Sequence, residues 1–450
     1  MAITTILYSN FLNPISKIRA DFLPHYALSF TSETITYFGP IEHLPKTEKK
    51  EGEENFYDFS DCVVLPAFFD LHFHWVQWGV RQQPKKDLMH WLREFTWPAE
   101  QKFQDYSYAK IQAENFSLEL QKRGIAGGAC YGSVHPHTVS LGLEYFKGDF
   151  ILGNVLMTMN SPEYLQKSQE RSKEEALELY KQYGKKYCLT PRFAPTTHPE
   201  LMQDLGQEAH NRKGFIQTHL SENLEEIQFV TEFYKKEFPL YAPEGSDSYT
   251  EIYHHCGLLG PRTILGHAIH LSPKEWNLLK RTQTILAHCP TSNAPIEEDG
   301  LGSGLFDYET ADALNIPWGL GSDIGGGPSL SPFDVLNSFV FQQERAKKIH
   351  TSFTKGLFHY TKGNASLLGH SFKGYFAAQT DASGVILPLP HSLKENLSSW
   401  KAEEILSRIL KRPLHKRAEF ENLASHCFIK GELLSGDWGE KKKNRPQVAH

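Results

Sequence analysis

Short hydrophobic runs recur along the chain, and the stretches between them change character near residue 63. The N-terminal part has brief runs of β-branched and aromatic residues, which are typical of strands. From residue 63 onward, apolar runs alternate with longer stretches of helical periodicity. Beyond about residue 373 the runs are short again. We predict N-terminal strands at 3–8, 26–30 and 34–38 and a late helix at 399–410.

The apolar runs in the middle of the chain are short enough to be buried parallel strands. Helices are predicted between them, and those at 173–183 and 199–211 have Glu early and Lys or Arg late, which suits the helix dipole. Such alternation is typical of a parallel α/β architecture, and polar residues at strand ends favour a (β/α)₈ barrel. The predicted strands lie at 125–131, 150–156, 214–219, 263–267, 284–288 and 316–321.

Composition excludes several function classes. The chain has 450 residues, 40% hydrophobic and 22% charged, as an ordinary globular enzyme has. A net charge of −6 gives no basic footprint for nucleic acid or an anionic membrane, and no segment approaches a membrane-spanning length. Six scattered cysteines without a C-x-x-C pair predict reduced thiols in a cytoplasmic protein. The charged stretch 46–55 and the polar tail 441–450 are expected to be exposed.

His72 and His74 form the most informative motif, at the end of the apolar run 63–71. Alternate residues of a strand point to the same face, so the two imidazoles aim at one point. A metal ion is the usual reason for such a pair. Two unrelated histidines near a turn would give the same pattern, so the remaining ligands must be sought elsewhere.

Further strand ends carry chemically capable residues. His219 ends one run, and Glu222 follows three residues later, close enough to be a general acid/base. Residues 221–223 (SEN) are also of types that commonly cap the N-terminus of a helix, which is the alternative interpretation. His267 ends another run and is preferred to His270, because Gly266 leaves room for close approach.

Two more apolar runs are followed by candidate residues, His288 and Asp323, and only Asp323 is added to the set. His288 ends a run, and a hydrogen-bonded structural histidine accounts for it well. Asp323 lies in a glycine-rich segment without the Lys-Ser/Thr ending of a phosphate loop, so a last metal ligand is favoured. In chain order the strand ends therefore provide His-x-His, His, His and Asp. Each motif alone is weak or moderate, but the ordered set indicates a hydrolase that activates water on a metal.

This ordered set resembles the amidohydrolase superfamily, whose members are metal-dependent hydrolases and deaminases on a (β/α)₈ barrel. Finer motifs are similar to those of the guanine deaminase family. Residues 66–77 (PAFFDLHFHWVQ) resemble its metal-binding strand, and residues 91–100 (WLREFTWPAE) resemble its W-L-x-x-Y/F-T-F-P-A-E stretch. The triplet 191–193 (PRF) and the segments 219–223, 288–293 and 319–327 follow in the family's order.

The resemblance implies a ligand set and chemical roles. One zinc ion would be held by His72, His74, His219 and Asp323, although the same nitrogen and oxygen donors would accept iron. Glu222 would move protons between the zinc-bound water and the purine ring. His267 and Asp323 would orient the attacking hydroxide.

The resemblance also implies how the base is recognised. Gln77, Arg192 and the backbone at Phe193 would contact its edge, beside His74 and Glu222. An Arg that faces a carbonyl oxygen separates an oxo-purine from an amino-purine. In a bare P-R-F triplet an ion-pairing Arg would be the favoured interpretation, and only the resemblance reverses it.

The expected protein is therefore a cytoplasmic, zinc-dependent homodimer that converts guanine to xanthine and ammonia. Its (β/α)₈ TIM-type barrel would span residues 65–373, and residues 1–64 and 374–450 would form a small β-sandwich domain. The alternatives are a related deaminase of another purine, a pterin or a triazine, and a catalytically dead scaffold. Cytidine-deaminase-type zinc chemistry needs P-C-x-x-C, which this sequence lacks.

Overall fold

The computed structural model describes residues 3–45, 54–243, 245, 248–348 and 350–438. The tail 441–450 lies outside these ranges. Of the predicted exposed stretch 46–55, only Glu54 and Asn55 are described, as the first residues of a strand.

Sixteen strands are present in the described ranges. They are β1 (Thr4–Ser16), β2 (Arg19–Phe30), β3 (Ile35–Pro40), β4 (Glu54–Pro66), β5 (Phe68–His74), β6 (Ile125–Tyr131), β7 (Asp149–Gly153), β8 (Val155–Leu156), β9 (Cys188–Pro191), β10 (Phe215–Leu220), β11 (Thr263–His267), β12 (Ile285–His288), β13 (Trp318–Leu320), β14 (Gly384–Pro388), β15 (His426–Ile429) and β16 (Glu432–Ser435).

The same ranges contain fifteen α-helices, besides short 3₁₀ segments and one π-helical turn at Leu92–Thr96. The α-helices are α1 (Leu88–Trp91), α2 (Trp97–Gln101), α3 (Tyr106–Lys122), α4 (His137–Tyr145), α5 (Gln169–Tyr183), α6 (Pro199–Arg212), α7 (Leu224–Glu237), α8 (Tyr249–His255), α9 (Pro273–Thr282), α10 (Pro290–Asn293), α11 (Tyr308–Ala313), α12 (Pro332–Arg345), α13 (Phe353–Tyr360), α14 (Lys362–Leu367) and α15 (Ala402–Leu410). The helices predicted at 173–183, 199–211 and 399–410 are thus confirmed as α5, α6 and α15.

Strands from both ends of the chain build one seven-stranded sheet, in the order β16-β15-β14-β4-β1-β2-β3. β1 pairs antiparallel with β2 and parallel with β4, while β14 pairs antiparallel with β4. Aromatic side chains fill the core beside this sheet, with Phe11, Phe30, Phe376 and Phe428 all buried. The domain boundaries after residues 64 and 373 stay predictions.

The chain leaves this sheet and enters the parallel strands within one residue. β4 pairs with β14 up to its last residue. The Ala67 N–H still donates to the Ser383 carbonyl (3.2 Å), whereas the Phe68 N–H donates to the Gly124 carbonyl (2.8 Å), just before β6. The apolar run 63–71 is therefore two strands in different sheets, because its hydrogen-bonding partners change at residue 67.

The remaining strands are parallel and alternate with helices, as predicted. β5, β6 and β7 form a three-stranded sheet, and β8 to β13 form a six-stranded sheet in chain order. An isolated parallel bridge between Leu152 and Tyr187 joins the two. Asn154 interrupts the strand predicted at 150–156, and its Oδ1 accepts a hydrogen bond from the Tyr187 hydroxyl (2.7 Å). β9 was not predicted, because its four residues form no extended apolar run.

The burial of reactive side chains agrees with the sequence analysis. All six cysteines are buried and unpaired, as their scattered positions predict. Within the described ranges, no helix combines the length and apolar character that crossing a bilayer requires.

Candidate active site

The chemically capable residues of the sequence analysis meet at one end of the parallel strands. His72 and His74 lie at the end of β5, His219 lies near the end of β10, and His267 ends β11. Asp323 follows β13, and its N–H donates to the carbonyl of His72 (2.8 Å). Parallel strands bring their carboxyl ends to the same edge, so residues far apart in sequence become neighbours there.

The backbone at these strand ends is strained. Four non-glycine residues have a positive φ, namely Ser221 (48°), His267 (68°), Ala268 (50°) and Asp323 (47°). Left-handed backbone at such residues is unfavourable and is retained where it aims a functional group. The strain therefore coincides with the predicted chemistry.

The imidazole nitrogens and the Asp323 carboxylate converge on a single point. The Nε2 atoms of His74 and His219 are 3.1 Å apart, and Asp323 Oδ1 lies 3.4 Å from His72 Nε2 and 3.5 Å from His74 Nε2. His72 is fully buried, yet neither of its ring nitrogens has a hydrogen-bond partner within the described ranges. A buried polar atom without a partner is costly, and a metal ion would satisfy it.

The protonation of these rings suits metal binding. Burial lowers the pKa of His72 to about 3 and that of His219 to about 3, and it also holds the pKa of His74 well below the ordinary histidine value. The imidazoles are therefore neutral at physiological pH, which is the form that binds a metal. Three neutral imidazoles and one carboxylate fit a zinc ion.

Hydrogen bonds behind the donor set fix its orientation. His219 Nδ1 lies 2.7 Å from the Arg192 carbonyl oxygen, which directs Nε2 toward the other histidines. The Asp70 carboxylate accepts the N–H groups of Ser322 (2.9 Å) and His72 (3.2 Å) and the Tyr360 hydroxyl (3.1 Å). Supporting contacts of this kind hold metal ligands in place. Asp70 was not predicted as a site residue from the sequence, although it lies two residues before His72.

Glu222 lies at the same strand ends. Ser303 Oγ donates to its Oε1 (3.0 Å), and its Oε2 lies 3.7 Å from His267 Nε2. His267 Nε2 is 3.9 Å from Asp323 Oδ2, and the Asn293 amide lies 3.0 Å from His267 Nδ1. Burial, with smaller effects of Asp323 and Glu226, raises the pKa of Glu222 well above its usual range. A carboxyl group in that state can donate a proton as well as accept one.

A pocket opens beside these groups. Gln77, Arg192 and Phe193 lie on its wall, as do the hydrophobic side chains of α1 and the π-helical turn. The lining residues are His74, Gln77, Leu88, Trp91, Leu92, Arg192, Phe193, His219, Glu222, His267, Leu301, Asp323 and Gly326.

Glu100 is a second residue that the sequence analysis missed. It is buried beneath the pocket wall, where its carboxylate accepts from Gln77 Nε2 (2.8 Å) and from Arg192 Nη1 (2.8 and 3.0 Å). The available signal was its position as the acidic last residue of the 91–100 stretch.

Two histidines that the sequence analysis weighed lie outside the donor set. His288 is buried and stacks on Phe306 at 4.9 Å between ring centroids. His270 Nε2 lies 2.8 Å from the Ser303 carbonyl oxygen. The described groups close enough to share a metal are His72, His74 and His219, and His72, His267 and Asp323.

Comparison with known proteins agrees with this geometry. The amidohydrolase family profile matches residues 63–434. Guanine deaminase of Escherichia coli (strain K12) is 31% identical over 341 residues, which are 73% of this chain and 74% of that protein. The solved E. coli guanine deaminase superposes with a TM-score of 0.83 at 26% identity, over 96% of this chain and 99% of that one.

A second solved structure adds a ligand. It is a guanine deaminase from C. acetobutylicum with bound guanine in the active site, with a TM-score of 0.79 at 25% identity, over 96% of this chain and 100% of that one. These likenesses confirm the predicted fold class, a barrel of the amidohydrolase type with a small β domain.

Proposed function

This chain belongs to the amidohydrolase family, and from that premise we propose that it hydrolyses guanine to xanthine and ammonia. The main support for the proposal is that residues suited to metal binding, proton transfer and base recognition line the same pocket. One cavity is lined by three of the four metal-type donors, His74, His219 and Asp323, and also by Glu222, Arg192 and Gln77.

A metal of this family would be held by four side chains whose donor atoms fit zinc, namely His72, His74, His219 and Asp323. Bound zinc supplies a Lewis acid that lowers the pKa of water to about 7. The same donors would take iron, and metal analysis of the purified protein distinguishes the two.

The chain's own residues would manage the water and its protons. His267 and Asp323 lie within reach of one water molecule and would hold it toward the ring carbon that carries the amino group. Glu222 would accept a proton from that water and deliver it to the adjacent ring nitrogen. It would then take the second proton from the hydroxyl group added to the ring carbon and pass it to the amino group, which leaves as ammonia. Addition of water and loss of ammonia convert guanine to xanthine.

Arg192 and Gln77 would choose the substrate, with the Phe193 backbone, His74 and Glu222 completing the contacts. The guanidinium group donates hydrogen bonds only, so it favours a ring carbonyl over an amino group at the position that it faces. An oxo-purine therefore suits the pocket better than an amino-purine such as adenine.

A purine panel tests the proposal. Purified protein should release ammonia from guanine, with far lower kcat/KM for adenine and isoguanine. Arg192→Ala should reduce guanine turnover about 100-fold or more, because the buried contacts to the carbonyl are lost. A protein that prefers another purine, a pterin or a triazine would contradict the assignment, and one that takes up no metal would favour the scaffold alternative.

The assembly and cellular location belong to the same proposal. We expect a cytoplasmic homodimer, and light scattering on the purified protein measures its mass against the 51.4 kDa of one chain.

A further inference from the structure

Glu100 is a buried carboxylate in α2, with no exposed side-chain surface. A buried carboxylate is tolerated only where donors surround it. The donors around Glu100 therefore indicate what the residue is for.

Two side chains of the pocket wall supply those donors. Gln77 donates to Oε1 at 2.8 Å, and Arg192 Nη1 donates to Oε1 at 3.0 Å and to Oε2 at 2.8 Å. Gln77 and Arg192 are remote in sequence, and both line the pocket. One carboxylate thus ties together the two residues proposed to recognise the substrate.

The carboxylate fixes the orientation of the Gln77 amide. An ionised carboxylate accepts hydrogen bonds and cannot donate them, so the amide must turn its nitrogen toward Glu100. Its oxygen is held against Gly325, where an added Cβ would lie only 2.3 Å from Gln77 Oε1. Within the described residues this oxygen accepts no hydrogen bond, so Gln77 can offer an acceptor to a pocket occupant, beside the second N–H of its amide.

The Glu100 carboxylate also accepts hydrogen bonds from one terminal nitrogen of the Arg192 guanidinium group. Both hydrogen bonds to Glu100 come from Nη1, while Nε and Nη2 have no hydrogen-bond partner within the described ranges. These remaining groups are donors. The pocket wall therefore presents a donor from Arg192 and an acceptor from Gln77, both held by one group behind them.

We infer that Glu100 is a positioning residue that fixes this donor–acceptor pair and thereby selects a lactam edge, a ring carbonyl beside a ring N–H. The inference rests on the proposed function and deepens it. Guanine has such an edge at its six-membered ring. In 2-aminopurine the same amino group is available for hydrolysis, but the carbonyl and the adjacent N–H are missing.

The ratio of kcat/KM for guanine to kcat/KM for 2-aminopurine measures this selection. Glu100→Gln should lower the ratio by at least about tenfold, because an amide nitrogen, which cannot accept, replaces one carboxylate oxygen and faces either Arg192 or Gln77 donor to donor. Glu100→Asp keeps the charge and should give an intermediate ratio. Glu275→Gln is the matched control, since Glu275 is also buried but caps α9 and contacts Thr250 and Ser272 instead.

Ligand binding provides a readout that needs no turnover. Calorimetry compares hypoxanthine, which has the lactam edge, with purine, which lacks it. The wild-type protein should prefer hypoxanthine, and folded Glu100→Gln should lose most of that preference. An equal weakening of both ligands, or an unchanged preference, overturns the role of Glu100.

Failure of the two proposals can be told apart. A wild-type protein that releases no ammonia from guanine, yet binds hypoxanthine preferentially through Glu100, contradicts the proposed function and supports the positioning role. A protein that deaminates guanine but keeps its guanine to 2-aminopurine ratio in Glu100→Gln contradicts only the role of Glu100. If that variant does not fold, Glu100→Asp decides, and an unchanged ratio overturns the inference.

Discussion

Replacing Gly266 with alanine should disturb metal binding while every ligand residue stays in the sequence. A Cβ at this position would lie 2.5 Å from Cε1, 2.9 Å from Nδ1 and 3.1 Å from Nε2 of His72. Gly266 lies within β11 without a positive φ, so its backbone accepts alanine. The contact with the His72 ring is therefore the main effect of the substitution.

The size of the effect follows from that contact. Non-bonded carbon atoms need about 3.5 Å, so the His72 ring must move by about 1 Å. The ring is fully buried and has no open space to enter, and overpacking of this kind costs about 1–3 kcal/mol. Metal–ligand distances tolerate only about 0.2 Å of error, so zinc affinity should fall by about 10–100-fold.

Three measurements on Gly266→Ala check this reasoning: zinc affinity against a competing chelator, urea unfolding and ammonia release. Gly79→Ala is the matched control, because an added Cβ there meets nothing within 4 Å. We expect the control to behave as the wild-type protein does. A Gly266→Ala protein with wild-type zinc affinity would refute the placement of His72 beside the metal.

Three further predictions concern the site and its support. Glu222→Gln should lower kcat for ammonia release by about 10²–10⁴-fold while the zinc content stays unchanged. Glu225 is an exposed neighbour, so Glu225→Gln is the control and should leave kcat unchanged. A Glu222→Gln protein with the wild-type kcat would contradict the proposed role of Glu222. Removal of zinc with a chelator should lower the melting temperature of the protein, and added zinc should restore the original value. The reason is that a ligand present at about 1,000 times its Kd stabilises the folded state by about 4 kcal/mol. Arg123 is buried and pairs with the partly exposed Glu119 and Glu421, so Arg123→Ala should cost about 1–3 kcal/mol in urea unfolding. A loss below about 0.5 kcal/mol would contradict a structural role for the pairing.

The sequence predicts which of these residues come close together, because their positions follow a simple rule. His72, His74, His219, His267 and Asp323 each lie at or just beyond the end of an apolar run, and parallel strands bring such ends together. At these residues the position along a predicted strand also indicates the position in the fold, so their proximity could be predicted from the sequence alone.

The supporting residues could not be predicted in the same way. Glu100 and Asp70 matter through partners more than 70 residues away, Arg192 and Ser322 respectively, and no local pattern reports such contacts. The division of the run 63–71 into β4 and β5 was missed for a similar reason, because the switch depends on which strands lie alongside. Hydrophobic periodicity indicates which face of a strand or helix is buried, but it does not indicate which other strands or helices pack beside it.

The sheet built from both chain ends has a consequence for synthesis of the protein on the ribosome. β4 pairs with β14 along one edge, and roughly 300 residues separate the two strands in the sequence. At a translation rate of about 5–20 residues per second, that edge waits for its partner for tens of seconds. An unpaired strand edge invites aggregation, so the nascent chain depends on shielding of β4 until the last strands emerge.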